Sequence, residues 1–140
     1  FQRMWLVIWL FVIPLCVAAN DDSKYSPLTQ MQLDEGLMET SDGGFPVAKC
    51  IVSNKTVESH TELCTFDPHR NFIQPSIVCM AAWRNNTVVQ GCFEAGQTQL
   101  EGMNCRKKEC VAPERGIGHY FCCCFGPLCN QKYSVEKSDP

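Results

Sequence analysis

The stretch Cys122-Cys123-Cys124-Phe125-Gly126-Pro127-Leu128-Cys129-Asn130 carries the most structural information in the chain. Successive side chains of an extended strand point to opposite faces, so three adjacent Cys send bridges in different directions from one short segment. Such a knot fits a compact hub from which loops emanate. Working outward, the remaining Cys of this block fall at 50, 64, 79, 92, 105 and 110. The first four gaps hold 13, 14, 12 and 12 residues, an interval that fits strands joined by hairpin turns. The stretches from Cys105 to Cys110 and from Cys124 to Cys129 each enclose four residues and read as tight loops.

The whole chain has 140 residues, 11 Cys and a net charge of -3. This Cys density marks a disulfide scaffold in a short exported chain. A mild negative charge excludes a large nucleic-acid-binding surface. The one apolar run, Trp5 to Ala19, follows Arg3 and ends in Val17-Ala18-Ala19. It is shorter than the roughly 20 residues of a membrane span, and its flanks read as a secretory signal peptide over residues 1–19. A retained signal anchor is the alternative. A polytopic membrane protein is excluded. Loss of residues 1–19 would remove Arg3 and Cys16, leaving ten Cys and a charge of -4. An even Cys count in an oxidising compartment implies five disulfides.

Residues 20–49 lack Cys and hold six acids against two lysines. They are expected to be an acidic disordered segment, with too little apolar surface to offset chain entropy. An acidic lure for a basic ligand is the functional alternative. The folded domain is expected over 50–133, with 134–140 beginning a linker. Ser76–Arg84 is the clearest strand, followed by a turn at Asn85-Asn86 and a second strand over Val88–Phe93. His119–Cys124 is a third, and Val47–Val52 and Glu62–Phe66 are weaker. No stretch sustains a helical period, so the fold class is small, disulfide-rich and all-β.

Alternation also marks a candidate binding site. If Cys79 and Cys92 face a disulfide core, Met80 and Phe93 face away from it. Phe121 precedes Cys122 and is a third candidate, although it shares a face with Cys123. Apolar side chains clustered on a surface make a protein-binding patch, whereas the same residues could simply fill the underside of a loop. Trp83 shares the Cys79 face and reads as core. Asn54-Lys55-Thr56 and Asn85-Asn86-Thr87 match the N-glycosylation sequon. Arg106-Lys107-Lys108 reads as a solvated tip rather than a heparin contact. His60, His69 and His119 are scattered and read as surface residues, so no metal site is expected. No activated nucleophile or phosphate-cradling loop is present, so neither an enzyme nor a cofactor is expected in this chain.

The ending Tyr120-Phe121-Cys122-Cys123-Cys124, then Cys129-Asn130 after four residues, resembles the extracellular domain of type II receptors for activin and bone morphogenetic proteins. Cys79, Trp83-Arg84-Asn85 and Val89-Gln90-Gly91-Cys92-Phe93 are similar to that family's central hairpin, and the resemblance covers Cys50 to Tyr133. It implies a three-finger toxin-like fold with bridges Cys50–Cys79, Cys64–Cys92, Cys105–Cys123, Cys110–Cys122 and Cys124–Cys129. Ten Cys by themselves leave roughly nine hundred pairings open. The resemblance also implies binding of a dimeric TGF-β-superfamily growth factor, of the activin or bone morphogenetic class, through Met80, Phe93 and Phe121. Met80 stands where an aromatic is usual and Phe93 where Trp is usual, and the segment between Cys64 and Cys79 is longer than in vertebrate activin receptors.

The expected protein is thus the ectodomain of a type II receptor serine/threonine kinase on the extracellular side of the plasma membrane. A membrane span and kinase would follow Pro140, and a type I receptor would complete a ternary complex. The other reading is a secreted or anchored Ly6/toxin-like three-finger binding protein, which shares the Cys123-Cys124 to Cys129-Asn130 ending.

Overall fold

The computed structural model describes residues 25–65, 76–114 and 118–137. The proposed signal peptide, His69 and Phe66 lie outside the described residues. Among the described residues, two short helices, α1 (Pro27–Asp34) and α2 (Gln97–Gly102), accompany nine strands. These are β1 (Glu39–Thr40), β2 (Pro46–Val52), β3 (His60–Cys64), β4 (Ser76–Arg84), β5 (Thr87–Ala95), β6 (Arg106–Lys107), β7 (Cys110–Ala112), β8 (His119–Phe125) and β9 (Tyr133–Val135). The fold is a small, disulfide-rich, three-finger β domain, as expected.

Its centre is a four-stranded sheet in the order β5-β4-β8-β6. Strands β4 and β5 pair antiparallel over their full nine residues, from Ser76↔Ala95 to Arg84↔Thr87. Their tip is the expected turn, where Asn85 takes φ 53°, a left-handed conformation that Asn tolerates. Strand β8 lies on the other side of β4, with Met80↔Cys123 and Ala82↔Phe121 in register. The β2–β3 hairpin forms the first finger and joins the second through the Ser53↔Gln90 bridge. Strand β3 spans His60–Cys64, shifted from the expected Glu62–Phe66.

Among the described residues, five disulfides form: Cys50–Cys79, Cys64–Cys92, Cys105–Cys123, Cys110–Cys122 and Cys124–Cys129. They divide between the two faces of the sheet, and each face has its own core. One face carries Ile77, Cys79, Ala81, Cys122 and Cys124, with Trp83 packed at its margin against Tyr120 and Tyr133. The other carries Val78, Ala95, Cys123 and Phe125, closed over by Leu37 and Leu100.

Residues 25–49 correct the expectation of a disordered segment. Ser26 caps α1 by accepting a hydrogen bond from Thr29 N, and Pro27 suits the first helical position. Gly36, at φ 69°, ends it: Leu37 N donates to Gln32 O and Gly36 N to Leu33 O. This closing turn needs a left-handed residue, which glycine supplies without steric cost. Leu37, Met38, Val47 and Ala48 are buried. The hydropathy pattern does not mark this helix, because its buried stripe is polar. Ser26, Thr29 and Gln32 recur every three residues and bury hydroxyls and an amide rather than hydrocarbon. At the other end, order extends past Tyr133 into the expected linker: β9 runs to Val135, and Glu136 N donates to Ala112 O at 2.7 Å.

Asn130 ties the fingers together. It is 0% exposed. Its Oδ1 accepts from Ile51 N at 2.9 Å, and its Nδ2 donates to Ile51 O at 2.8 Å and to Met80 O at 2.9 Å. Its own carbonyl accepts from Gln90 Nε2 at 2.7 Å. A buried polar group stripped of its partner costs far more than one hydrogen bond contributes. Asn130→Ala should therefore lower unfolding free energy by about 2–4 kcal/mol with all bridges intact. Denaturant unfolding of the oxidised protein measures this, and a loss within error would show the clamp to be dispensable.

Candidate binding face

Register places the three candidate side chains on one face. Val78↔Phe93, Met80↔Gly91 and Ala82↔Val89 are opposed across β4 and β5, and Ala82↔Phe121 across β4 and β8. Alternation therefore puts Met80, Phe93 and Phe121 together with Val78, Cys123 and Phe125, away from the Cys79 face. All three candidates are half-buried. Phe93 and Phe121 meet edge to face, with ring centroids 5.9 Å apart and planes at 70°. The positive ring edge of one aromatic then points at the negative face of the other. The Met80 backbone is held from behind by the Asn130 amide.

Sharing a face with Cys123 does not remove Phe121 from the surface. The Cys105–Cys123 bridge lies under it as part of the second core. Gly91 sits opposite Met80, and a Cβ built there would meet nothing within 4 Å. The face is thus open at its middle. Beside Gly91, Val89 is exposed on the same side. The residues that sequence reasoning missed here are Leu28, Met31 and Met103, which pack on the same buried cluster as Phe93 and Phe121. No periodicity in the acidic N-terminal segment marks the first two.

The other candidates separate from this face. Asn54 and Asn85 are exposed. Asn54 Oδ1 accepts from Thr56 N, Thr56 Oγ1 and Val57 N at 2.8–2.9 Å, which holds the sequon in a tight turn. The basic run is largely paired: Arg106 meets Glu136 and Lys107 meets Glu35, each at 2.8 Å. Both pairs are solvated and contribute little to stability. The sulfurs of Cys50, Cys64 and Cys92 lie within 4.8 Å of one another, but all three belong to disulfides and offer no thiolate to a metal. His60 packs its ring against Glu58 O and Glu62 on the surface, and His119 is exposed. Among the described residues, no helix is long and apolar enough to cross a membrane.

The family model for the activin types I and II receptor domain matches residues 46–135. The chain belongs to that family. Its relatives are of the type II kind. Activin receptor type-2B of Xenopus laevis is 39% identical over 72 residues, 44% of this chain and 13% of the relative. Human activin receptor type-2A is 37% identical over 62 residues, 40% of this chain and 11% of the relative. Activin receptor type-2A of Xenopus laevis is 31% identical over 86 residues, 57% of this chain. The chain therefore spans 11–15% of the length of these relatives. The domain is an activin-receptor extracellular domain of type II character.

A double-mutant cycle on Phe93→Ala and Phe121→Ala tests the ring contact within this domain. Their coupling in denaturant unfolding should be about 0.5–1.5 kcal/mol. Strict additivity would mean that the rings are held by their separate neighbours.

Proposed function

We propose that this chain is the ligand-binding ectodomain of a type II receptor serine/threonine kinase. It binds a dimeric growth factor of the activin or bone morphogenetic class through Met80, Phe93 and Phe121. The observation that carries this reading is that three apolar side chains from three strands converge on one half-buried face beside the open Gly91 position. Nothing on that face suits catalysis, whereas rings and a thioether on a bridged scaffold suit recognition. The scaffold restrains their backbone before contact, so little ordering entropy is lost on binding. Met80 in place of the family's usual aromatic keeps apolar contact but adapts its shape, which alters selectivity among related ligands. Residues 1–19 act as the export signal, and the domain lies on the outer side of the plasma membrane. In the whole receptor a span and a cytoplasmic kinase follow, and a type I receptor joins the same ligand.

Binding to immobilised activin and bone morphogenetic dimers tests this directly. The oxidised chain should bind one class saturably, and a bivalent ligand surface should add avidity. Met80→Ala, Phe93→Ala and Phe121→Ala should each weaken binding by about 1–4 kcal/mol. Gly91→Arg should abolish it while leaving unfolding within about 0.5 kcal/mol of wild type, because the added side chain enters open space. Wild-type affinity in all four variants would sink the reading, and failure of a correctly bridged domain to bind either class would favour the Ly6-like alternative.

Asn54 and Asn85 are proposed to carry N-glycans, both on exposed turns. Secretion from a eukaryotic host should yield a protein whose mass falls in two glycan steps on amidase treatment. Single Gln substitutions should each remove one step, and an unshifted mass would exclude the sites.

A further inference from the structure

We infer that the segment preceding the family domain, residues 25–38, forms one edge of the binding face and contacts the growth-factor dimer through Leu28 and Met31. This rests on the function proposed above. The family match begins at residue 46, so α1 is an addition that the family's common features do not account for.

The helix is docked, not appended. Ser76, the first residue of β4, shares its sheet face with Val78 and Met80. Its hydroxyl bonds to the hydroxyls of Ser26 and Thr29. Gln32 Nε2 reaches Ile77 O at 3.4 Å, and Glu35 pairs with Lys107 on β6. Leu37 and Met38 then enter the two cores. This part of the chain therefore covers the Ser76 and Val78 end of the face, while Met80 remains half-exposed further along β4.

The helix is also inverted with respect to hydropathy. Thr29 and Gln32 are 0% and 1% exposed, whereas Leu28 and Met31 stay half-buried. A helix that served only to close the core would turn Leu and Met inward and its amide outward. Here buried hydroxyls and an amide hold the helix in place, Leu33 packs on the opposite core, and Leu28 and Met31 sit at the rim of the cluster that also supports Phe93, Phe121 and Met103. Leu28, Met31 and Met103 thus continue the surface begun by Met80, Phe93 and Phe121. Half of that six-residue surface is methionine, whose unbranched thioether repacks against differing partners. The occupant is the growth-factor dimer proposed to bind the same face, because Leu28, Met31 and Met103 rest on the same buried cluster as Phe93 and Phe121.

Methionine-methyl NMR separates this inference from the reading beneath it. Met31, Met80 and Met103 report on the surface, and Met38, 5% exposed in the opposite core, is the control. The probe is the activin or bone morphogenetic dimer that saturates in the binding assay. The inference expects its addition to shift or broaden Met31, Met80 and Met103 and to leave Met38 unchanged. Perturbation of Met80 without Met31 would overturn it while sparing the proposed binding face. Saturable binding that perturbs none of the three would overturn both. Shifts at Met31 that follow protein concentration with no dimer present would assign the helix face to self-association and overturn the inference. A Leu28→Ala, Met31→Ala double variant should weaken binding about tenfold with its Met80 methyl resonance in the wild-type position. Unchanged affinity in that variant would overturn the inference as well.

Discussion

Three consecutive cysteines in one strand cannot share a face, and the domain is organised around that constraint. In β8, Cys122 and Cys124 project into one core and Cys123 into the other. Cys122 fastens β7, Cys124 fastens the loop that ends at Cys129, and Cys123 draws in Cys105 at the end of the α2 connection. A single-layer sheet of this size has no thick hydrocarbon interior, so its loops would otherwise have little to hold them. Bridges on both sides of β8 make it the fixed axis, and β4 then lies between β8 and β5 with both of its faces covered along most of its length.

Asn130 completes what the bridges begin. The Cys124–Cys129 loop returns the chain to the centre, and the next side chain bonds at once to β2 and β4. A disulfide restrains distance, whereas the two oriented ends of an amide also restrain register. The β2 finger is thereby set against the β4–β5 finger, and the carbonyl of Met80 is pinned. The candidate binding side chain therefore stands on a backbone that the fold has already immobilised, which links the hub to the face.

Much of this was legible in the sequence because the determining features are local. The Cys triplet, the alternation of Ser76–Arg84 and the Asn85-Asn86 turn each act through the backbone period of two or through left-handed dihedrals, and β4 has the expected bounds. The shared face of Met80 and Phe93 followed from the same alternation. Phe121 was ambiguous because a sequence does not reveal that the sheet has a core on each side. The N-terminal helix was hidden for a different reason. Hydropathy treats Ser26, Thr29 and Gln32 as solvent-facing, yet they are buried because Ser76 and the Ile77 carbonyl supply partners some 45–50 residues away in the chain. Only tertiary structure makes those partners available.

The same helix explains how a rigid scaffold and an adaptable surface coexist. Buried polar contacts are directional and fail when displaced, so α1 has one position on the sheet. Methionines at the surface have soft, multiple rotamers and accept several partner shapes. Placing the directional contacts inside and the adaptable ones outside confines variation to side chains and keeps it out of the backbone. An aromatic residue in place of Met80 or Met31 would fit one contour more tightly and others less well. On the proposed binding face, Met80 thus supplies an adaptable contact, and Met31 and Met103 extend the same chemistry over the cluster that also supports Phe93 and Phe121.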